Sequence, residues 1–355
     1  MAATEGFERY ARQMIFPGLG ADGQQRLADA TVVIVGCGAT GSMLGSLLAR
    51  AGVGRLRIID RDFVELTNLP RQFLFDEQDL ADALPKAEAA ARHLRAANSA
   101  IIVEPVVADL NAGNAASLLG DATVLLDGTD NFTTRYLLND VAVKLGLPWV
   151  YTGVVASYGM TATFVPDGAT AALPGDRAAT GCLRCLLGEI PAPGATPTCD
   201  TAGVLGPAVS LVSSIAAGEA IKLIVGRGEL NSGLLHVDLW WHEYERLGAA
   251  VRDPDCPVCA HGRFDFLDGR AGAGSATLCG RNAVQVRVAQ APRLDLATVE
   301  KQLAPVAEQL QRNDFLVRAT VDGYEFTIFP DSRAIIKGTE DEALARSLYA
   351  RYVGS

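Results

Sequence analysis

The chain of 355 residues is long for a single domain, and a composition of 49% hydrophobic and 20% charged residues suits a large buried core, which excludes a disordered chain. The net charge of −10 excludes nucleic acid as the main partner, because no segment offers the basic face that a phosphate polymer requires. The stretch Met1 to Glu8 has neither the basic start nor the apolar core of a secretory signal, so a cytoplasmic protein is expected.

The first chemistry lies in Ala30-Thr-Val-Val-Ile-Val35, which reads as a buried strand, followed by the glycine turn Gly36-Cys-Gly38-Ala39-Thr-Gly41. Thr40 to Ala51 carries the small and apolar residues of a helix packed on that strand. This is the pattern of a nucleotide-binding βαβ unit, in which backbone approaches a phosphate closely at the helix N-terminus. A second strand, Arg55 to Asp60, ends on the acid expected to accept ribose hydroxyls. A glycine turn of this kind most often serves a nicotinamide-dependent oxidoreductase. The next residues depart from that pattern: Asp62, Asn68, Arg71 and Gln72 follow at once, and Lys86 comes soon after. An enzyme that handles a triphosphate needs cations and amides there, Arg71 as a bidentate grip and Lys86 as a point charge. A solvated surface pair is the plain alternative.

Further along, Val124 to Asp127 reads as another parallel strand, which places Asp127-Gly-Thr-Asp130-Asn131 at its carboxyl end, where open α/β sheets bind ligands. Asp130 also suits the N-cap of a helix starting near Asn131. Two pairs, Cys182-Leu-Arg-Cys185 and Cys256-Pro-Val-Cys259, can together present four thiolates to one structural Zn²⁺, with redox-active dithiols as the alternative. Cys37 and Cys279 read as packed small residues, whereas Cys199 sits in a loop rich in Pro, Gly and Thr. The apolar stretch Val204 to Val225 approaches the length of a membrane span, but Glu219 and Lys222 within it favour a buried or interface helix, so no membrane association is expected. The expected fold class is therefore α/β: a Rossmann-like, mostly parallel sheet with helices on both faces over residues 1–262. A linker (263–276) and a small domain of order βαβββα (277–355) should follow, with Leu294 to Gln311 as its first helix, interrupted at Pro305.

These motifs together resemble the ThiF/MoeB adenylyltransferase family, relatives of the ubiquitin-activating enzymes, from about Glu8 to Ala260. Arg9-Tyr-Ala-Arg12-Gln13 is similar to the family's N-terminal signature, Ala51-Gly-Val-Gly54 to its helix-to-strand link, and Asp127 to Asn131 with Arg135 to its catalytic strand end. The resemblance implies binding of ATP and adenylylation of the C-terminal glycine of a small ubiquitin-fold sulfur carrier ending in diglycine, as in thiamin or molybdopterin biosynthesis. It implies a nucleotide site built from Gly36, Gly38, Ala39 and Gly41, from Asp60 and Asp62, and from Asn68, Arg71, Gln72 and Lys86. Asn131 and Arg135 would complete it, with Asp130 assigned to Mg²⁺ because a carboxylate beside a triphosphate needs a bridging cation. It further implies zinc on the four paired cysteines and a homodimer in which Arg12 reaches the partner's ATP. Cys199 matches the loop cysteine that in some members bonds to the carrier or its sulfur, and a cysteine desulfurase or rhodanese-type protein could donate that sulfur. Two departures stand out. Ala39 replaces the third glycine of GxGGxG, and Pro70 precedes Arg71 where the family has Asn or Gln. The alternatives are a nicotinamide-dependent oxidoreductase and a catalytically silent scaffold that binds a ubiquitin-like protein.

Overall fold

The structure, a computed structural model, describes residues 7–170, 173–191, 199–231, 233–271, 277–278, 282–287 and 293–354. The chain forms two compact units, Met1–Gly272 and Ala273–Ser355.

The first unit is built on an eight-stranded sheet in the order β3-β2-β1-β4-β5-β6-β7-β8. Its strands are β1 Thr31–Val35, β2 Arg55–Asp60, β3 Ile102–Val107, β4 Val124–Asp127, β5 Trp149–Val155, β6 Tyr158–Phe164, β7 Gly233–Asp238 and β8 Glu243–Ala249. Strands β1 to β5 pair in parallel, and β6, β7 and β8 add on antiparallel. Side chains of β1 alternate between two cores, as the pleat requires. Val32 and Ile34 meet Leu44 and Leu48 of the helix Ala39–Ala51, whereas Val33 and Val35 meet Leu138 and Val141 of the helix Phe132–Leu145. The sheet is thus covered on both faces. Strand order reverses beside β1, whose neighbours are β2 and β4, and this creates the crevice where open α/β sheets hold ligands. Register brings the three carboxyl ends level, because Val35 pairs with both Ile59 and Asp127.

The apolar stretch forms the helix Gly206–Val225, long and apolar enough to cross a membrane by length and composition alone, with most of its apolar residues buried in the fold. It packs on the helix Ala39–Ala51 and on β5 and β6. Its buried Glu219 accepts hydrogen bonds from Thr163 Oγ1 (2.8 Å) and Asn231 N (2.8 Å) and pairs with Lys222. Those partners explain how a carboxylate sits inside an apolar layer.

The second unit is an antiparallel six-stranded sheet, ordered β11-β12-β13-β14-β10-β9, sharing one core with the helices Leu296–Leu303 and Glu342–Tyr352. Its strands are β9 Thr277–Leu278, β10 Ala283–Arg287, β11 Gln309–Arg312, β12 Val317–Val321, β13 Tyr324–Ile328 and β14 Arg333–Lys337. Two details of the expected βαβββα order change. The first helix ends at Leu303 instead of running to Gln311, since Pro305 follows within two residues and cannot continue the hydrogen-bond ladder. Gln309–Arg312 instead pairs with β12 as an extra edge strand, and β9 adds a short one on the other side. The boundary between the units falls within 263–276, the segment expected to be a linker. Its first part packs on the first unit: Phe266 N and Leu267 N donate to Asp140 Oδ2 at 2.9 and 3.3 Å, and the Phe266 ring lies 5.4 Å from that of Tyr136.

Candidate active site

The crevice beside β1 is knit by backbone. Gly36 N donates to Ile59 O and Gly128 N to Val35 O, each at 2.8 Å. Gly36 has φ +85°, and a Cβ there would stand 2.6 Å from the Gly128 carbonyl; one on Gly41 would collide with the Gly36 carbonyl. Both positions therefore demand glycine. Gly38 differs. The nearest atom to a Cβ there would be Gln72 Nε2 at 3.9 Å, so its outer side is open to a ligand. Ala39 opens the following helix and packs beside Val154 and Val209, so its extra methyl has a place and leaves the turn intact.

Asp60 is buried, and both its carboxylate oxygens are engaged: Oδ2 accepts from Cys37 N and Oδ1 from Asp62 N, each at 2.6 Å. Burial raises its pKa, with the Lys86 charge acting against that. The expected ribose acid thus braces the glycine turn, and Asp62 is the next carboxylate along the same edge. Lys86, almost wholly buried at the start of the helix Lys86–Ala97, donates N–H to Asp62 O at 2.8 Å and holds Nζ 3.5 Å from Asp62 Oδ2. Keeping an ammonium in so buried a place requires negative partners.

Asn68 closes a one-turn helix, Leu66–Asn68, its Oδ1 accepting from Glu65 N at 3.1 Å. Its carbonyl then takes both Arg71 N (3.1 Å) and Gln72 N (2.9 Å), which carries the chain past Pro70 without loss of order. Gln72 is buried beside Gly38, and its Oε1 has no hydrogen-bond partner among the described residues. Arg71 is half-buried, one of its N–H groups on Thr67 O at 2.6 Å.

After β4, Asp127 is fully buried. Its Oδ1 accepts from Thr129 N (2.8 Å) and Thr129 Oγ1 (2.6 Å), and its Oδ2 accepts from Arg135 Nε (3.0 Å). The Arg135 guanidinium also donates to Thr129 O and Thr152 O and lies over the rings of Tyr151 and Phe132. Arg135 is thus a clamp behind the loop, and burial pushes the Asp127 pKa up while Arg135 opposes it. The loop so held presents Asp130 exposed, and the N-cap is Asn131, whose Oδ1 accepts from Thr134 N at 2.8 Å. Asp130 is therefore not the cap; it lies exposed at the carboxyl end of β4, within electrostatic reach of Arg61 and Arg135. The motif of Asp127 to Asn131 with Arg135 is visible in sequence, whereas the pairing of Asp127 with Arg135 and their contacts to Thr129 and Thr152 arise only in the fold.

Arg12 lies exposed in the short helix Ala11–Met14 and has no hydrogen-bond or ion-pair partner among the described residues. The arm carrying it is anchored on both sides. Arg9 donates to Ala97 O (2.8 Å), Gln13 to Ala51 O (2.8 Å), and Asn98 Nδ2 to Tyr10 Oη (2.7 Å). Cys199 starts the short helix Cys199–Ala202; its side chain, like Cys279, lies outside the described residues.

The four paired cysteines converge although about seventy residues separate the pairs. Sulfur–sulfur distances are 3.9 Å (Cys182–Cys185), 3.7 Å (Cys182–Cys256) and 3.4 Å (Cys185–Cys259), and all four Sγ atoms lie within 4.8 Å of one another. Tetrahedral zinc with metal–sulfur bonds of about 2.3 Å separates its sulfurs by about 3.8 Å. None of the four forms a disulfide, and Asp253 N points a donor at Cys185 Sγ from 3.5 Å. Burial pushes the Cys182 thiol up to about 12, so a cation is what such a cluster needs to hold thiolates.

Residues 10–258 match the ThiF family. The chain belongs to that family. The "Sulfur carrier protein ThiS adenylyltransferase" of Bacillus subtilis is 41% identical to it over 347 residues, 98% of this chain and 99% of the relative. The "Sulfur carrier protein adenylyltransferase" of Thermus thermophilus is 40% identical over 256 residues, covering 72% and 91% respectively. Among solved structures, E. coli MccB superposes with a TM-score of 0.61 at 24% identity, over 72% of this chain and 73% of MccB, a likeness of fold. The ThiF match ends at residue 258, whereas the B. subtilis likeness continues into the second unit.

Proposed function

We propose that this chain is an ATP-dependent adenylyltransferase that activates the C-terminal glycine of a ubiquitin-like sulfur carrier. The observation that carries the reading is the joining, at the β1–β4 crevice of a ThiF-family fold, of an open glycine turn with Lys86, Gln72 and the loop of Asp130. The carrier's carboxylate attacks the α-phosphorus of ATP, the bond to the bridging oxygen breaks, and pyrophosphate leaves with the electron pair. An acyl-adenylate remains. No side-chain nucleophile is needed, so the chain's task is positioning and charge stabilisation.

Each residue then has a part. The amides at the open side of Gly38 and the buried Lys86 meet the phosphates, with Arg71 at the outer side once it leaves Thr67 O. Gln72 Oε1, buried and without a partner among the described residues, is a ready acceptor. Asp60 and Asp62 take the ribose hydroxyls, each Asp60 oxygen accepting one amide and keeping a second lone pair. Asp130 would supply a carboxylate oxygen to Mg²⁺, which would neutralise charge on the triphosphate. Zinc on Cys182, Cys185, Cys256 and Cys259 would be structural, since four protein ligands leave no open position. Two copies of the chain would share sites through Arg12, and Cys199 would serve the later capture of sulfur from a desulfurase or rhodanese-type donor.

The oxidoreductase alternative falls with the family assignment, and among carriers one of the ThiS kind is favoured by the relative whose likeness spans both units. Exchange of labelled pyrophosphate into ATP, measured with and without a diglycine-ended carrier, tests the reading. Carrier-dependent exchange is expected; its absence with carriers of the ThiS and molybdopterin types would leave only the silent scaffold.

A further inference from the structure

The helix Phe132–Leu145 holds the loop of Asp130 at its start, through the Asn131 cap and Arg135. One turn beyond Arg135 it meets the cysteine cluster. Asn139, wholly buried, accepts a hydrogen bond through Oδ1 from Leu183 N at 2.8 Å. Leu183 opens the short helix Leu183–Leu187, whose N-cap is Cys182. It is also packed in the same core as Leu138 and Val141 of the longer helix, so the two helices are joined at the first of the four cysteines.

That bond fixes which way the amide faces. A backbone N–H can be met only by the amide oxygen, so the NH2 group of Asn139 has to point elsewhere. Nδ2 is buried and has no hydrogen-bond partner among the described residues. A buried donor without an acceptor is costly and calls for a reason. Beside it lies Cys182, itself buried. Burial raises the pKa of that thiol, and the Asn139 side chain acts against the rise, as a donor facing sulfur does. A thiol is a weak acceptor, whereas the negative charge of a thiolate strengthens such a bond. Asp253 N stands in the same relation to Cys185 Sγ, the other cysteine of the pair.

Resting on the zinc reading above, we infer that Asn139 is a positioning residue of the metal site: its NH2 group donates to the Cys182 sulfur when that sulfur is a zinc-bound thiolate, while Leu183 N holds the amide from its other end. The bond orients the ligand and draws off part of the negative charge that four thiolates bring to one divalent ion. It also ties the metal to the helix that holds the loop of Asp130.

The test measures zinc affinity by chelator competition on the full-length wild type and on Asn139→Leu, which is close in size and loses both polar ends. Asn139→Leu is expected to weaken zinc about 10- to 100-fold. In the Co²⁺-substituted proteins the sulfur-to-metal charge-transfer band should move to longer wavelength in the variant, because a thiolate relieved of a hydrogen bond is the better electron donor. Loss of the Leu183 N bond alone would lower thermal stability with and without metal and leave that band unmoved, so the band separates the two roles. An unmoved band, or zinc affinity that stays at the wild-type value, would overturn the inference. Asn139→Ala, which crowds nothing, gives the same two readouts if the Leu variant does not fold. Wild-type protein that held neither zinc nor cobalt would remove the zinc reading first and this one with it, an outcome distinct from failure in the variants alone.

Discussion

At the scale of single residues, the crevice depends on carboxylates that look alike in sequence and differ in what surrounds them. Asp127 and Asp60 are buried and committed to backbone amides and Arg135, whereas Asp130 stands exposed on the loop that Asp127 holds. Asp130→Ala is accordingly expected to reduce carrier-dependent pyrophosphate exchange by at least a hundredfold, a loss of about 3 kcal/mol of transition-state stabilisation, while unfolding temperature and metal content stay at wild-type values. Near-normal exchange in that variant would exclude the role. Sequence pattern could place an acid at each strand end, because strands and their ends follow from apolar runs and glycine. It could not say which acids are already engaged, for that is decided by groups other segments bring: the Cys37 amide on Asp60, or on Asp127 the guanidinium of Arg135, eight residues on, in the helix Phe132–Leu145. Arg135 is expected among the nucleotide contacts, and the donors it already commits to Asp127, Thr129 and Thr152 appear only in three dimensions.

Among elements, legibility tracked burial. β1, β2 and β4 are short apolar runs bounded by turns, and each was readable to within a residue or two. β11 was not, because this edge strand turns only the half-buried Leu310 towards the core, too little to make an alternating pattern, so Gln309–Arg312 joined the preceding helical pattern. The docked part of the segment 263–276 was equally hidden: its anchor is one carboxylate, Asp140, on the helix Phe132–Leu145. Burial raises the Asp140 pKa to about 6 from 3.8. A folded-state value above the unfolded one means that the fold disfavours the ionised form. The resulting penalty is absent below about pH 4, grows as pH rises through 6, and is complete above it. Asp140→Asn should therefore stabilise the protein by about 1–2 kcal/mol at pH 7.5, less than the full shift because its NH2 would take the place of Oδ1, which is buried and has no hydrogen-bond partner among the described residues, with the gain vanishing near pH 4. Chemical denaturation at the two pH values checks this, and a variant that is less stable at both would show that the charged form is needed. For the cysteine pairs, sequence supplied the ligands and the fold supplied the convergence. One zinc per chain is expected by elemental analysis, lost together with several kcal/mol of stability when Cys182 or Cys256 becomes Ser; metal-free wild-type protein would refute it.

At the scale of the whole molecule, one chain leaves two things unaccounted for: an arginine that pairs with nothing among the described residues and an apolar tip beside it. Arg12 has no hydrogen-bond or ion-pair partner among the described residues, and Ile15 and Phe16, three and four positions on, are 71% and 66% exposed. The arm behind them is firmly anchored through Arg9, Tyr10 and Gln13, so the exposed residues are held in place at the surface. A second copy of the chain would bury the tip and give the arginine an anion, the phosphates of the opposite site. Arg12→Ala and Asp130→Ala homodimers should then each be nearly inactive, for independent reasons. Mixing them under conditions that allow subunit exchange should restore activity, because every heterodimer keeps one site in which both groups are intact. Random reassortment makes half of the dimers heterodimers, each with one working site of two, so recovery should approach about a quarter of wild type if the arginine's contribution to the transition state is large. The measurement is carrier-dependent exchange, with reassortment verified by mass-tagged subunits. Recovery cannot arise if Arg12 serves its own chain, since each heterodimer would then pair one site lacking Arg12 with one lacking Asp130.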